Sequence, residues 1–444
     1  MDCKMKNLLM IAYQFPPQNS GGSHRPYRFA KYLKEFNINP VVITTQIDED
    51  IQDDSLVENI ENIKVIRTPV KKRVFFEKIL QKQYFNILDP EHKKWKDYLF
   101  EAVDKVTKKI DFCAIYVTVP PFSIADIAIE LSKKYNLPLI LDMRDHFSYW
   151  NITPFPSYLH YKLILNKERN WFKNANFIIA VSEQMIDDFK KLHPSIDVNK
   201  YIVIKNSFEN ELKSIPNVIN LRKGTKDNPI VIGYVGSFYY EPYQREMIFK
   251  PWWKKKPYQW FQYTPKKEDW LYRSPYFFFK TISSFMQKYP TLKDLFRVEF
   301  VGKQPVWLKN MIKEFKLEDI VILKGFMPHK ESLEFQKRCD ALLGTSMKVI
   351  EGRDYCIAGK SYEYISNLKP ILAFVTDGTQ KDFFKESGLG VMFDPDNLDE
   401  NVEVFKRFIL GEIVLKPNKD FILNHNAKSS TKKLAKIVDE VCKK

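Results

Sequence analysis

Apolar residues fall in short unbroken runs along this chain, each followed by a polar turn and then by a stretch with helical spacing. Residues 7–13 (NLLMIAY) form the first run, and a loop rich in Pro, Ser and Gly, residues 16–23, follows it. A continuous run of this length predicts a strand buried on both faces, as in a parallel sheet. Residues 25–35 then bring Tyr27, Ala30, Tyr32 and Leu33 close to one helical period. Further strands are expected at 40–45, 63–67, 114–118, 138–142 and 177–181, with helices near 98–109 and 123–135. Strands alternating with helices of this length predict βαβ units.

Between residues 209 and 228 the apolar pattern fails, and it restarts with runs at 230–235, 297–301, 320–323, 341–344, 370–374 and 390–393. The expected fold is therefore α/β, with two Rossmann-like domains facing a cleft. Residues 1–210 and 225–425 would form the domains, and a basic amphipathic helix at 428–444 would pack back. Ligands of such sheets bind beyond the carboxyl ends of the strands.

One segment does not fit. Where a strand-to-helix loop is expected, about residues 239–272 carry Trp252, Trp253, Trp260 and Trp270, half of the eight tryptophans, interleaved with tyrosines and with Lys254, Lys255, Lys256, Lys266 and Lys267. This insertion suits a membrane interface, where rings lie at headgroup depth and lysines meet anionic lipid. Trp252, Trp253 and Trp260 would then touch the membrane. Internal packing and an oligomer contact are the alternatives. No nucleic-acid partner is expected, because no recognition motif accompanies the aromatics.

A chain of 444 residues is long enough for two or three domains. Its formal net charge of +15 suits a polyanionic or membrane-surface partner, though it also describes an ordinary solvated surface. The five cysteines are far apart and show no C-x-x-C spacing, which argues against zinc and against a disulfide framework. With no apolar stretch near the roughly 20 residues that span a bilayer, the expectation is a cytoplasmic protein, peripheral at most to the inner face of the cell membrane.

Four places carry candidate chemistry. Gly21 and Gly22 lie in the loop after the first strand, with His24 and Arg25 just beyond, where backbone amides and a helix start can meet an anion. Asp142, Arg144 and Asp145 end another strand; two carboxylates can hold the arginine, or one can accept a hydroxyl proton. A structural ion pair is the plain alternative. Gly236 and Ser237 end the first strand of the second domain. Lys360 sits near a helix start, with Glu363 one turn on, suited to a phosphate and a ribose diol respectively. This is not a P-loop, since Asp354 stands where the first glycine would fall. Asp48-Glu49-Asp50 and Asp394-Pro395-Asp396 could in principle hold a metal, but a surface loop and a helix cap explain them better.

Together these segments resemble the GT-B glycosyltransferases of family four. The opening MIAYQFPPQNSGGSHRPYRFAKYL is similar to that family's first strand, glycine loop and helix, and LDMRDHF to a strand of one branch. IVIGYVGSF resembles the start of its donor domain, and GKSYEYISNLKPILA its nucleotide-sugar helix and next strand. The resemblance implies transfer of a sugar from a nucleotide-diphosphate sugar, with retention and without a bound metal or other cofactor. It places Lys360 at the diphosphate, Glu363 at the ribose, Gly236 and Ser237 beside the diphosphate, and Gly21 and Gly22 near the reacting sugar. Arg144 and Asp145, with His24 and Arg25, fall on the acceptor side. Two departures stand out. Tyr355 occupies the position eight before Glu363, where relatives often carry an acid, leaving Glu351 or Asp354 as substitutes. The usual cations after the Gly-Ser stretch are displaced, and Arg273 is the expected second diphosphate cation. The acceptor implied is a lipid-linked glycan in surface polysaccharide synthesis. The rivals are a nucleotide-sugar 2-epimerase and an inactive binding or scaffold protein.

Overall fold

A computed structural model describes residues 5–18, 20–46, 62–71, 91–149, 154–210, 212 and 214–443. The first apolar runs build a seven-stranded parallel sheet from β1 (Lys6–Ala12), β2 (Ile38–Thr45), β3 (Lys64–Thr68), β4 (Ala114–Val119), β5 (Leu139–Met143), β6 (Phe177–Ala180) and β7 (Tyr201–Val203). Their order is β3-β2-β1-β4-β5-β6-β7. After a short strand, β8 (Ile219–Asn220), a second parallel sheet forms from β9 (Ile230–Val235), β11 (Phe296–Val301), β12 (Val321–Gly325), β13 (Ala341–Thr345), β15 (Ile371–Phe374) and β16 (Gly390–Phe393), ordered β12-β11-β9-β13-β15-β16. Two small antiparallel pairs complete the strands: β10 (Glu268–Asp269) with β14 (Lys348–Val349), and β8 with β17 (Val414–Leu415). Right-handed crossovers put helices on both faces of each sheet, which explains why the strands read as unbroken apolar runs.

The chain reverses direction in each sheet at one place. In the first sheet, neighbours β1 and β4 lead to opposite edges; in the second, β9 and β13 do the same. At such a point adjacent connections depart to opposite faces and leave a crevice beyond the strand ends.

The C-terminal helix, Ala427–Val441, lies against the first helix, His24–Leu33, and its Leu434, Ala435, Ile437 and Val438 join the first domain's core beside Leu8, Met10 and Leu33. The expectation that the cysteines form no disulfide framework meets one exception here. Cys113, just before β4, is bonded to Cys442 at the end of this helix, while Cys339 and Cys356 are free. The 329 residues between the partners hide the pairing from any spacing rule.

The insertion divides into two parts. Its base is built in: Phe155 and Tyr263 exchange backbone hydrogen bonds of 2.9 and 3.0 Å, and Arg245 clamps Asp269 at 2.7 and 2.8 Å. Lys266 reaches Asp188 of the first domain at 3.1 Å. Trp252, Trp253, Trp260 and Phe261 are exposed.

Candidate functional site

The crevice between β9 and β13 holds a small cavity lined by Tyr234, Arg273, Thr345, Lys360 and Ser361 among others. The helix Gly359–Ser366 begins here, and its N-cap, Ala358, offers no side-chain oxygen to the first turn. Its orphan amide groups and dipole therefore favour an anion.

Lys360 projects from that turn into the cavity. Its ammonium donates to the Tyr234 hydroxyl and lies 3.8 Å from the centre of the Tyr234 ring. Among the described residues it forms no ion pair. Burial, and then the charge of Arg273, push this ammonium well below the ordinary lysine range, with Glu363 acting weakly the other way. Gly236 permits the approach. Its φ is +103°, and a Cβ there would stand 3.1 Å from the lysine nitrogen. Gly302, which the sequence reading passed over, is the companion requirement: its φ is +136° and a Cβ would meet the Gly236 carbonyl oxygen at 2.3 Å. A glycine directly after the 297–301 run was its visible signal.

Arg273 enters from the end of the insertion, sandwiched between the rings of Tyr239 at 5.1 Å and Trp270 at 5.2 Å. Its nearest acceptor is the Cys356 sulfur at 3.8 Å. Burial works to lower its pKa, but the thiol and Asp354 more than offset this and keep the guanidinium charged. Two cations thus share one cavity with no carboxylate bound to either. That is costly unless an anion completes the site.

Around this pair, Glu363 accepts a 2.9 Å hydrogen bond from Gln336, which is fully buried and holds the carboxylate in place. The Ser237 carbonyl accepts from the Tyr234 hydroxyl at 3.1 Å. Tyr355, standing where an acid was looked for, is buried and packs its ring 4.3 Å from His146 in the first domain's core. Glu351 is exposed in a turn with φ +57°. Asp354 is buried beside Arg273, accepts from the Cys356 amide at 2.7 Å, and has its pKa pushed up to about 6, chiefly by burial.

The opposite wall comes from the first domain's own switch point. Arg144 is pinned there by the carbonyls of Val119 and Pro120 at the end of β4. Gly22 packs directly over it: a Cβ at Gly22 would lie 2.4 Å from the guanidinium and 2.0 Å from Gln14 Oε1. Gly21 is uncrowded, with nothing within 4 Å of such a Cβ. Asp145 feels Arg144 on its own side and Arg273 across the cleft, yet burial dominates and raises its pKa. His24 faces His329 of the second domain, ring centres 5.2 Å apart.

Asp142 and Arg25 do not belong to this wall. Asp142 is fully buried and Arg25 nearly so, and they form a two-pronged ion pair at 2.8 and 2.9 Å. Asp142 also accepts from Tyr116 at 2.5 Å and Thr118 at 3.2 Å, and Arg25 donates to the carbonyls of Ile204 and Lys205. With every polar atom satisfied inside the fold, neither is placed to meet a reacting group. This corrects the expectation of a catalytic Asp142 and an acceptor-side Arg25.

No cluster of three metal-ligating side chains occurs among the described residues. Asp396 is bound by Tyr272 at 2.5 Å and Lys348 at 2.6 Å, Asp394 accepts the Asp396 amide, and the helix cap is Asn397 rather than either aspartate. Asp48, Glu49 and Asp50 lie outside the described residues.

No protein-family model matches the chain, and no curated protein matches it by sequence. Solved structures do. A sucrose-phosphate synthase from Thermosynechococcus elongatus superposes with a TM-score of 0.60 at 12% identity, covering 98% of this chain and 99% of that one. The lipopolysaccharide outer core galactosyltransferase WaaB gives 0.55 at 12% identity, over 98% and 99% of the two chains. S. aureus MnaA with UDP gives 0.51 at 14% identity, over 98% and 96%. Likeness over both whole chains at such low identity establishes architecture, and the architecture is the GT-B fold.

Proposed function

We propose that the protein transfers a sugar from a nucleotide-diphosphate sugar to a glycan acceptor, lipid-linked and destined for a surface polysaccharide. The observation that carries this reading is the pair Lys360 and Arg273, two cations without carboxylate partners in one crevice at the start of an uncapped helix. As the bond between the sugar and the diphosphate breaks, negative charge grows on the departing phosphate oxygen, and fixed cations and amide dipoles stabilise it. Glu363, held by Gln336, is placed to accept bonds from the ribose hydroxyls. Asp145, whose basicity burial raises, faces Arg273 across the cleft and orients the acceptor hydroxyl by accepting its hydrogen bond; the acceptor oxygen bonds the anomeric carbon on the face the diphosphate leaves, and the departing phosphate oxygen takes the hydroxyl proton. By resemblance the transfer retains configuration and needs no metal.

The test is incubation with UDP-, GDP- and dTDP-sugars, with and without membrane extract. One donor should release its nucleotide faster when extract is present. Formation of the 2-epimer without any acceptor would point instead to epimerase chemistry, and absence of nucleotide binding to a scaffold.

Asp354 gives this donor site a predicted pH response. Its carboxyl, pushed up to about 6, is neutral below that pH and charged above it. Ionisation places a negative charge beside Arg273 and partly cancels the attraction for the diphosphate. At an effective dielectric near 20 and a separation of about 6–8 Å the loss on full ionisation is about 2–3 kcal/mol. Affinity for the intact nucleotide sugar, whose diphosphate diester does not titrate here, should therefore fall roughly tenfold from pH 5 to pH 7, where binding must return the carboxyl to its neutral form. In Asp354→Asn calorimetry should show a flat profile; an unchanged slope would place the titrating group elsewhere.

A further inference from the structure

Both ends of the insertion abut the donor cavity, since Tyr239 and Trp270 flank Arg273, yet its middle turns outward. Trp252, Trp253 and Phe261 are 63%, 65% and 77% exposed, and Trp260 is about half exposed. The Trp252 ring lies 6.1 Å from Trp253 and 6.3 Å from Trp260, both edge-on, so the rings form one cluster. Burial of apolar area cannot account for holding such rings in water, and a patch of this kind marks a binding surface.

The insertion also meets the first domain. Tyr263, two residues beyond Phe261, packs its ring 5.0 Å from Tyr158 and 4.9 Å from Tyr161. These belong to the helix Tyr158–Asn174, whose opening turns carry Leu159, 67% exposed, and Leu163, also exposed, one turn apart on one face. Lys162 lies over the Tyr158 ring at 5.2 Å. Tyrosines of the first domain therefore meet the insertion at this seam, while Leu159 and Leu163 lie on another face of the same helix.

Charge identifies the occupant. From residue 250 to residue 267 the chain holds six lysines and no aspartate or glutamate. Among the described residues, only Lys250 and Lys266 of these have carboxylate partners, Glu246 at 2.9 Å and Asp188 at 3.1 Å. Lys254 and Lys256 are exposed beside the tryptophans. Aromatic rings with unpaired cations match the headgroup region of an anionic bilayer, where the rings lie at the boundary and the lysines meet lipid phosphate. No helix among the described residues is long and apolar enough to cross a membrane, so attachment here is to its surface.

We infer that Trp252, Trp253, Trp260 and Phe261, with Lys254 and Lys256 beside them, form an anionic-lipid docking face at the tip of the insertion. Because both ends of the insertion flank Arg273, docking through its tip holds the cleft near the bilayer, where a lipid-linked acceptor enters; that consequence rests on the proposed transfer, whereas the docking itself does not. The test is flotation of the full chain with phosphatidylcholine vesicles, with and without phosphatidylglycerol. Wild type should bind the anionic vesicles and leave neutral ones. Changing Trp252, Trp253, Trp260 and Phe261 to Ala, or Lys254 and Lys256 to Glu, should lower partitioning at least tenfold. Circular dichroism checks that each variant folds. Equal binding to neutral and anionic vesicles, unchanged partitioning in the Trp variant, or a wild-type dimer that these substitutions dissociate would overturn the inference, the last by making a second copy the occupant. Nucleotide affinity, measured on the same variants, should stay within twofold of wild type. Vesicle binding by a protein that binds no nucleotide would leave the docking face standing and remove the transferase.

Discussion

Replacing Lys360 with alanine should weaken binding of the donor nucleotide by about 1.5–3 kcal/mol, the scale of a hydrogen bond to a charged group. That is roughly 10- to 150-fold in Kd. Among the described residues the ammonium's partners are the Tyr234 hydroxyl and ring, so a diphosphate meets no competing carboxylate from them. Removing it leaves the Tyr234 and Gly236 backbone in place and takes away one positive charge from the helix start. Arg273→Ala should act in the same direction and less than additively with Lys360→Ala, because both address one anion. A second signature follows from the depressed pKa. In the empty site burial and Arg273 disfavour the charged lysine, and a bound diphosphate favours it. The lysine pKa therefore rises on binding, and at alkaline pH binding should take up protons, measured as a dependence of calorimetric heat on the buffer's ionisation enthalpy. Lys360→Ala should lose that uptake. Unchanged affinity in both single variants, with folded protein, would remove the cavity from the donor site and with it the proposed transfer.

The parts of this site legible in the sequence were those whose cause is local. Gly236 and Lys360 are neighbours of strand ends and helix starts, and the periodicity that predicts those elements also places the residues in the crevice. Gly22 was legible as a close-approach glycine, although its partner, the Arg144 guanidinium, was not. What local pattern could not show is which charges cancel. Arg25 and Asp142 each sit at a predicted strand or helix edge, where function was expected, and only the packing of two segments 117 positions apart turns them into a buried pair. The same holds for Cys113 and Cys442. β7 was missed because three residues, Tyr201–Val203, are too few to show a period. The insertion was visible at once as an aromatic excess, but its division into a buried base and an exposed tip depends on which rings find partners. Tyr263 finds Tyr158 and Tyr161, whereas among the described residues the Trp252 ring finds Trp253 and Trp260, themselves exposed.

Asp142→Ala should lower the free energy of unfolding by about 3–5 kcal/mol, the effect of removing one partner from a buried ion pair. The Arg25 guanidinium would remain inside the fold with only the Ile204 and Lys205 carbonyls and the Asn206 side chain as acceptors, and the Tyr116 hydroxyl would lose its 2.5 Å bond. Asp142→Asn keeps the shape and one acceptor oxygen, so it should cost less. Replacing both charges, Arg25→Met with Asp142→Leu, should recover much of the loss, since the penalty lies in the stranded cation rather than in the missing attraction. Urea unfolding followed by tryptophan fluorescence reads this directly, through Trp95 and Trp171 in the first domain's core. A catalytic carboxylate would give the opposite result: alanine would leave the unfolding midpoint where it was and abolish nucleotide release, and the double replacement would rescue nothing. The pair also joins the first helix to β5 beneath the glycine loop, so loss of stability should carry a secondary loss of turnover. That loss should diminish when the assay is run at low temperature, where the destabilised variant is still folded, whereas a missing catalytic group would stay missing at every temperature.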